Sequence, residues 1–286
     1  MSRNSDRLGP SVPEQAETPP QMTQNEGGSG GFSFVVPTEF VDLPSKGRFY
    51  NENHPLYNQD TIEIKQMTAK EEDLLTSRAL LKKGVVLDRV MKSIIIDKRV
   101  SPDSLLVGDR NAIMIAARIS GYGNEYNTKV ACPSCSTTQE YSFDLLDSTV
   151  DHGSASTELG VKEIGGGLFS TILPKTQCDV TFRLLFGDDE RLLLNRITGA
   201  RKKNKEENAI TTQLRLLTHA INGDTSPQTI NYFVENVPTL DAHHLRAAFA
   251  IATPNVDLTQ YFTCNECGYD AEMEVPLTAD FFWPKR

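Results

Sequence analysis

Two stretches of the chain decide its architecture: KVACPSCSTTQEYSFDL at residues 129–145 and YFTCNECGYDAEMEVPL at residues 261–277. Aligning Cys132 with Cys264 shows that they are two copies of one pattern. In each copy an extended segment leads into a Cys-x-x-Cys turn, and a strand with alternating apolar residues leaves it. The pattern is the signature of a zinc knuckle, and it occurs twice.

The spacing of the cysteines has a physical reason. One Cys-x-x-Cys turn supplies two thiolates, whereas a tetrahedral Zn²⁺ with bonds of about 2.3 Å to sulfur needs four. One knuckle cannot close such a site, so the two pairs imply each other. The sequence therefore predicts one zinc ion, bound by Cys132, Cys135, Cys264 and Cys267. Because protein thiolates fill all four positions and leave none for a substrate water, the predicted site is structural.

Other interpretations of these cysteines stay open. A redox Cys-x-x-Cys is expected at the N-terminus of a helix, but strand patterns flank both pairs here. Disulfides are rare in reducing cytoplasm. Simple buried thiols are the remaining alternative. The fifth cysteine, Cys178, lies on a predicted strand with no partner in range, and we interpret it as a small buried hydrophobic residue.

Composition limits the function classes. The chain has 286 residues, 38% of them hydrophobic, and a net charge of −9. Such a charge disfavours binding to duplex nucleic acid or to an anionic membrane. The one basic run, residues 201–205, indicates a solvated loop, with a phosphate-contacting patch as the alternative. No apolar stretch approaches the ~18 residues that span a bilayer, and the start lacks a signal-peptide core, so we expect the chain to fold in the cytoplasm.

The rest of the pattern predicts an α+β fold with a mostly helical core, small antiparallel sheets and a split zinc ribbon with four cysteine ligands. A capping box at Thr68 and Glu71 begins the first helix. Helices are predicted at about 68–83, 85–96, 109–120, from 188 onward, 207–221, 227–236 and 240–252. Strands are predicted at about 61–65, 125–131, 140–146, 167–173 and 178–186.

Four regions follow from this order of elements. Residues 1–35 are rich in proline and glycine and predict a flexible arm that could become ordered along a partner. Residues 36–147 hold a strand and helical unit with the first knuckle. Residues 148–257 form an inserted module of a hairpin and helices, which the zinc closes. Residues 258–286 hold the second knuckle and an aromatic tail.

No residue cluster has the pattern of a catalytic site, because the histidines are scattered and no phosphate-binding or nucleophile motif occurs. The tail is more informative, since Phe281, Phe282 and Trp283 are three consecutive aromatic residues. Such a cluster either packs back on the ribbon or docks on a partner. We therefore treat these three residues as candidate partner contacts.

Several stretches together carry a resemblance to a known family. They are VDLPSKGRFY (41–50), MTAKEEDLL (67–75), LLVGDRNAIMIAARISGYG (105–123), the pairs CPSC and CNEC, and ADFFWP (279–284). This set resembles the baseplate proteins of T4-like tailed bacteriophages, the group named for the baseplate hub assembly protein. The resemblance runs from about Val36 to Pro284, and only the knuckles would be common elsewhere.

The resemblance implies a non-enzymatic structural or assembly component of the tail baseplate, in its hub region. It implies other baseplate and tail subunits as partners, in an oligomer or hetero-assembly. From the acidic charge we expect no membrane and no nucleic acid among them. The resemblance also implies a location in the host bacterial cytoplasm during assembly, and in the virion tail if the protein is retained. The alternative that the residues leave open is a zinc-ribbon module that binds nucleic acid or assists transcription or replication.

Overall fold

The computed structural model describes residues 35–202, 208–275 and 279–282 of the chain. Within them the protein forms eight α-helices and twelve β-strands, and the strands make five small antiparallel sheets. The predicted α+β class is confirmed. A mostly helical core is not supported, because a four-stranded sheet stands where the sequence indicated a single hairpin. The arm predicted at residues 1–35 lies, except for Val35, outside the described residues.

The first part of the fold combines a pair of strands with four helices. They are β1 (Thr38–Asp42), β2 (Thr61–Lys65), α1 (Ala69–Thr76), α2 (Arg78–Lys83), α3 (Val86–Ile94) and α4 (Val107–Tyr122). At the start of α1 the carboxylate of Glu71 accepts from the Thr68 amide at 2.9 Å, as a capping box requires. The single helix predicted for residues 68–83 is wrong, because the extended backbone of Ser77 divides it into α1 and α2.

A buried carboxylate fixes the irregular loop between β1 and β2 to helix α4. Asp109 accepts from the amide of Ser45 at 3.0 Å and from its hydroxyl at 2.6 Å. It also accepts from the Tyr50 hydroxyl at 2.6 Å. Burial raises the pKa of Asp109 above its usual range, although these donors favour the charged form. The loop thus has a defined position without regular secondary structure.

The first Cys-x-x-Cys copy forms a hairpin directly after α4. It consists of β3 (Glu125–Ala131) and β4 (Thr138–Asp144), and the short strand β5 (Thr149–Asp151) follows. Side chains alternate along β3, with Tyr126, Thr128 and Val130 buried and the residues between them exposed. This alternation is the one that the sequence predicts for a strand with one solvated face.

Residues 148–257 leave this hairpin and return to the second copy. They form a sheet with the strand order β6-β7-β8-β9, together with four helices. The elements are β6 (Lys162–Gly165), β7 (Leu168–Ile172), β8 (Asp179–Arg183), α5 (Gly187–Lys202), α6 (Ala209–Leu217), β9 (Thr218–Ile221), α7 (Pro227–Asn236) and α8 (Thr239–Ala252). The hairpin of β7 and β8 and the bounds of α7 agree with the prediction.

The helix predicted for residues 207–221 ends earlier than expected. Its last four residues, Thr218–Ile221, form β9 and pair with β8 through Val180 and Ile221. Apolar residues at this spacing fit a helix or a strand equally well. The open edge of β8 supplies the backbone partners that decide between them, and a single-sequence pattern does not reveal that edge.

After α8 the chain returns to the neighbourhood of the first hairpin. β10 (Asn255–Asp257) pairs with β5, and β11 (Thr259–Thr263) pairs with β12 (Asp270–Glu274) in the second hairpin. A short 3-10 turn, Ala279–Phe282, is the last described element. The two ends of residues 148–257 therefore lie side by side. We call β3, β4, β5, β10, β11, β12 and their turns the ribbon, residues 125–151 and 255–275.

The segment between the hairpins also packs on the first part of the fold. The Val107 amide donates to the Leu185 carbonyl at 3.1 Å, and the Gly187 amide donates to the Leu105 carbonyl at 2.9 Å. Close to β10, a Cβ added at Gly108 would lie 1.8 Å from the Pro254 carbonyl oxygen, so only glycine fits there. One hydrophobic core runs through both parts and reaches the ribbon.

Candidate metal centre

The two Cys-x-x-Cys turns have the same local structure. In the first, the Cys132 amide donates to the Thr137 carbonyl at 2.9 Å, and the Ser136 amide donates to the Cys132 carbonyl at 2.9 Å. In the second, the Cys264 amide donates to Tyr269 at 2.8 Å, and the Gly268 amide donates to Cys264 at 3.0 Å. Both turns thus reverse the chain immediately after the second cysteine.

A left-handed residue completes each turn. Ser136 has a φ of 60° and Gly268 has a φ of 70°. Glycine adopts this conformation without steric cost, whereas serine does so with strain. The second turn therefore has the residue best suited to its backbone, and the first reaches the same geometry without it.

The turns bring the four cysteines together, although the pairs are far apart in sequence. All four Sγ atoms lie within 4.8 Å of one another. The sulfurs of Cys132 and Cys267 are 3.7 Å apart, and those of Cys135 and Cys264 are 3.8 Å apart. A tetrahedral ion with metal–sulfur bonds of about 2.3 Å needs sulfurs about 3.8 Å apart. The donor set thus fits a tetrahedral metal ion.

Burial alternates within the cluster. The first cysteine of each pair, Cys132 or Cys264, is buried, and the second, Cys135 or Cys267, is exposed. The site is therefore buried on the side of Cys132 and Cys264 and exposed to solvent on the side of Cys135 and Cys267. In the described part of the chain no second group of three or more metal-ligating side chains comes together. Cys178 lies away from the cluster and is half-buried against the core.

Hydrogen bonds prepare one of the exposed thiols for metal binding. The Thr137 hydroxyl and then its amide lower the pKa of Cys135 to about 6. The Tyr269 amide favours the Cys267 thiolate, but burial and the neighbouring Cys135 raise the pKa of Cys267 to about 11. A metal must therefore displace the proton of Cys267, so its affinity falls as the pH falls.

Side chains, rather than backbone hydrogen bonds, join the two hairpins. The Gln139 amide group donates to the Thr263 carbonyl at 3.2 Å, and that of Gln260 donates to the Asp144 carbonyl at 2.6 Å. The rings of Tyr141 and Phe262 pack with their centroids 5.1 Å apart. Among the described residues, no backbone hydrogen bond links β4 to β11. The cysteine cluster is thus the strongest candidate connection between the hairpins.

The described aromatic residues of the tail pack inside the protein. Phe281 and Phe282 are buried, and the Phe281 ring meets Tyr126 of β3 edge-on at 5.2 Å. These two side chains therefore do not form an exposed docking surface on the free chain. Trp283 lies outside the described residues, as do residues 203–205 of the basic run.

One buried arginine, which sequence reasoning missed, holds this tail. Arg118 of α4 donates to the Phe281 carbonyl at 2.7 Å, to the Glu125 carbonyl at 3.0 Å and to the Gly123 carbonyl. It is almost completely buried. A charged residue on the apolar face of a predicted helix was the signal that could have identified it, because a charge in the core needs several partners.

Comparison with known proteins identifies a family that the chain matches over most of its length. The model of a family described as T4 bacteriophage base plate protein matches residues 36–283. No curated protein and no solved structure shows significant similarity to the chain. The matched region contains both hairpins, all four cysteines of the cluster and the whole segment between them.

Proposed function

The chain belongs to the T4 bacteriophage base plate protein family, and on that premise we propose that it is a non-enzymatic component of the baseplate hub region. In this proposal it binds other baseplate subunits, either as a permanent part or as an assembly factor, through a scaffold that a zinc ion stabilises. The extent of the match, residues 36–283, is the observation that carries the structural role. None of the described helices is long and apolar enough to cross a membrane.

The arrangement of the cysteines supports zinc as the metal. Four thiolates at the corners of a tetrahedron are typical of structural zinc, and carboxylate-preferring ions such as Mg²⁺ and Ca²⁺ do not favour them. A closed set of four protein ligands leaves no coordination position for chemistry. Zinc would join β3 and β4 to β11 and β12 and so close the long excursion of residues 148–257.

The buried titratable groups support a role without catalysis. Asp109 is used to hold the loop between β1 and β2, and the Asp241 carboxylate accepts from the amides of Lys175 and Thr176. Glu71 accepts from Lys65, Ser93 and Thr68. Burial alone would raise the pKa of Glu71, but these donors outweigh it and hold the value at about 2. Each group serves a structural contact.

Nucleic-acid binding by the ribbon is the competing function, and the charge of the ribbon speaks against it. Ten carboxylates and one lysine lie in residues 125–151 and 255–275, a net charge of −9. Phosphate backbones require positive charge on the protein. A gel-shift assay with single- and double-stranded DNA at low salt tests this directly, and salt-sensitive binding would favour the alternative.

A depletion experiment tests the proposed function. A phage whose gene for this chain is interrupted should produce tails that lack a complete baseplate, and the full chain supplied in trans should restore them. Mass spectrometry of purified particles then separates a retained subunit from an assembly factor. Complete baseplates in the absence of the chain would contradict the proposal, and elemental analysis of the purified chain tests the zinc separately.

A further inference from the structure

The solvent-facing side of the second hairpin has an unusual composition. The strand register places Thr259 opposite Glu274, Tyr261 opposite Glu272 and Thr263 opposite Asp270. All six residues are exposed. We call this set the outer face of the second hairpin. It consists of one row of three carboxylates beside one row of Thr, Tyr and Thr.

The three carboxylates lack cationic partners. Residues two apart on a strand are separated by about 6.6 Å on the same face, so Asp270, Glu272 and Glu274 repel one another in the free chain. Within the described ranges, no lysine or arginine forms an ion pair with any of them. The repulsion is thus not relieved by the chain itself.

A large aromatic residue lies in the middle of the same face. Tyr261 is 64% exposed, and its carbonyl accepts from the Tyr141 hydroxyl at 3.2 Å, which fixes its backbone. Exposed tyrosines on a rigid strand are favourable centres of protein interfaces, because they bury a large area and lose little conformational freedom.

The first hairpin shows that the fold does not require this composition. The residues that correspond to Tyr261, Asp270, Glu272 and Glu274 are Lys129, Thr138, Glu140 and Ser142. There Lys129 lies opposite Glu140, so these four corresponding residues carry no net charge. The same turn and the same cysteine positions therefore form with either surface.

We propose that the outer face of the second hairpin is the docking surface for a basic protein segment of another baseplate subunit. That segment presents Lys or Arg side chains at alternate positions of an extended strand, which match the carboxylate spacing, and an apolar side chain that covers Tyr261. Charge complementarity selects this partner, because the ribbon as a whole carries a net charge of −9, equal to that of the entire chain. The inference rests on the proposed role as a baseplate subunit.

A binding measurement on the full, metal-loaded chain tests the surface. The probe is a labelled synthetic peptide of about ten residues in which lysine and threonine alternate around one central leucine, with a peptide of the same composition but clustered lysines for comparison. The key variant is Asp270→Asn, Glu272→Gln, Glu274→Gln. The matched control is Glu125→Gln, Glu140→Gln, Asp147→Asn, which removes the same amount of charge elsewhere on the ribbon. Metal content and the unfolding midpoint establish that both variants fold.

We expect the outer-face variant to bind the alternating peptide about tenfold more weakly, because three exposed ion pairs are lost, and the control to stay within about twofold. Wild-type affinity should fall as salt rises. Equal losses in both variants would show that only net charge matters, and an absence of wild-type binding would also overturn the proposal.

A second explanation is that charges on the edge strand β12 prevent pairing with other chains. It predicts that the outer-face variant self-associates in analytical ultracentrifugation while it keeps its affinity for the peptide, and that result would overturn docking. In phage, normal baseplates with this variant would also refute docking. The proposed function would then still stand, because depletion of the whole chain tests it independently.

Discussion

The two hairpins of the ribbon share one backbone structure but expose different side chains. Each reverses at a Cys-x-x-Cys turn with the same hydrogen bonds, and each buries its first cysteine and exposes its second. They differ in what lies around them. The first hairpin packs Tyr126 against Phe281 and carries no net charge at the four residues that correspond to Tyr261 and the three carboxylates of the second hairpin, which are exposed to solvent. The cysteines and turns therefore determine the hairpin, whereas the residues on its faces can differ.

The largest effect should come from the feature that the hairpins share. Cys132→Ser in the first copy and Cys264→Ser in the second should each remove the metal and destabilise the ribbon by more than about 4 kcal/mol, since each knuckle provides half of the ligands. Elemental analysis and thermal unfolding measure the effect. Cys178→Ser is the control and should keep one zinc per chain. If one of these two variants kept the metal and the other lost it, the two cysteine pairs would not be equivalent ligands.

The next effect should be confined to the first hairpin. Phe281→Ala removes a buried ring that packs on Tyr126, so we expect a loss of about 3–5 kcal/mol in urea unfolding. Tyr261→Ala on the second hairpin removes an exposed ring and should change stability by less than about 0.5 kcal/mol. Similar losses of unfolding free energy for the two substitutions would show that packing of the tail does not stabilise the first hairpin more than the second.

A smaller effect should come from the side chains that bridge the hairpins. Gln260→Ala removes the hydrogen bond to the Asp144 carbonyl and should cost about 0.5–1.5 kcal/mol without loss of metal. Gln139→Ala, at the knuckle end, removes both a donor to Thr263 and an acceptor for the Asn265 amide. We therefore expect a somewhat larger loss for Gln139→Ala in the same urea titration. An unchanged midpoint for both would mean that these two glutamine side chains do not contribute to the connection between the hairpins.

The sequence predicted the local parts of the ribbon well. Cysteine spacing and strand alternation are properties of neighbouring residues, so the bounds of β3 and the cluster of four cysteines could be expected from the order of residues alone. The bounds of α7 were also predictable, because Ser226 and Pro227 give a strong start signal.

The features that the sequence did not predict depend on contacts between residues far apart in the chain. β9 becomes a strand because β8 offers an open edge, and Arg118 is tolerated in the core because the chain returns as far as Phe281 to supply a carbonyl. The break between α1 and α2 at Ser77 likewise could not be predicted, because no glycine or proline marks it in the sequence. Periodicity describes one segment at a time, so contacts between segments are outside its reach.

The smallest effect should differ in sign between the hairpins. Glu272→Gln lowers the repulsion along the outer face of the second hairpin and should stabilise the free chain by a few tenths of a kcal/mol. Glu140→Gln, at the corresponding position of the first hairpin, removes the opposite charge that faces Lys129 and should destabilise it by a similar amount. The isosteric substitutions change charge with little change in shape, which makes each the control for the other.

Paired urea titrations at low salt and at about 0.5 M salt measure this difference, because screening should shrink both effects toward zero. If the two changes in unfolding free energy have opposite signs at low salt and both approach zero at high salt, the charges of the second hairpin are the ones that oppose folding. Such charges are tolerable if a partner neutralises them on binding, so the gain from Glu272→Gln in the free chain should become a loss in the complex. Equal signs for the two substitutions would mean that the charges around the ribbon act only through their sum, and that the two hairpins are electrostatically alike.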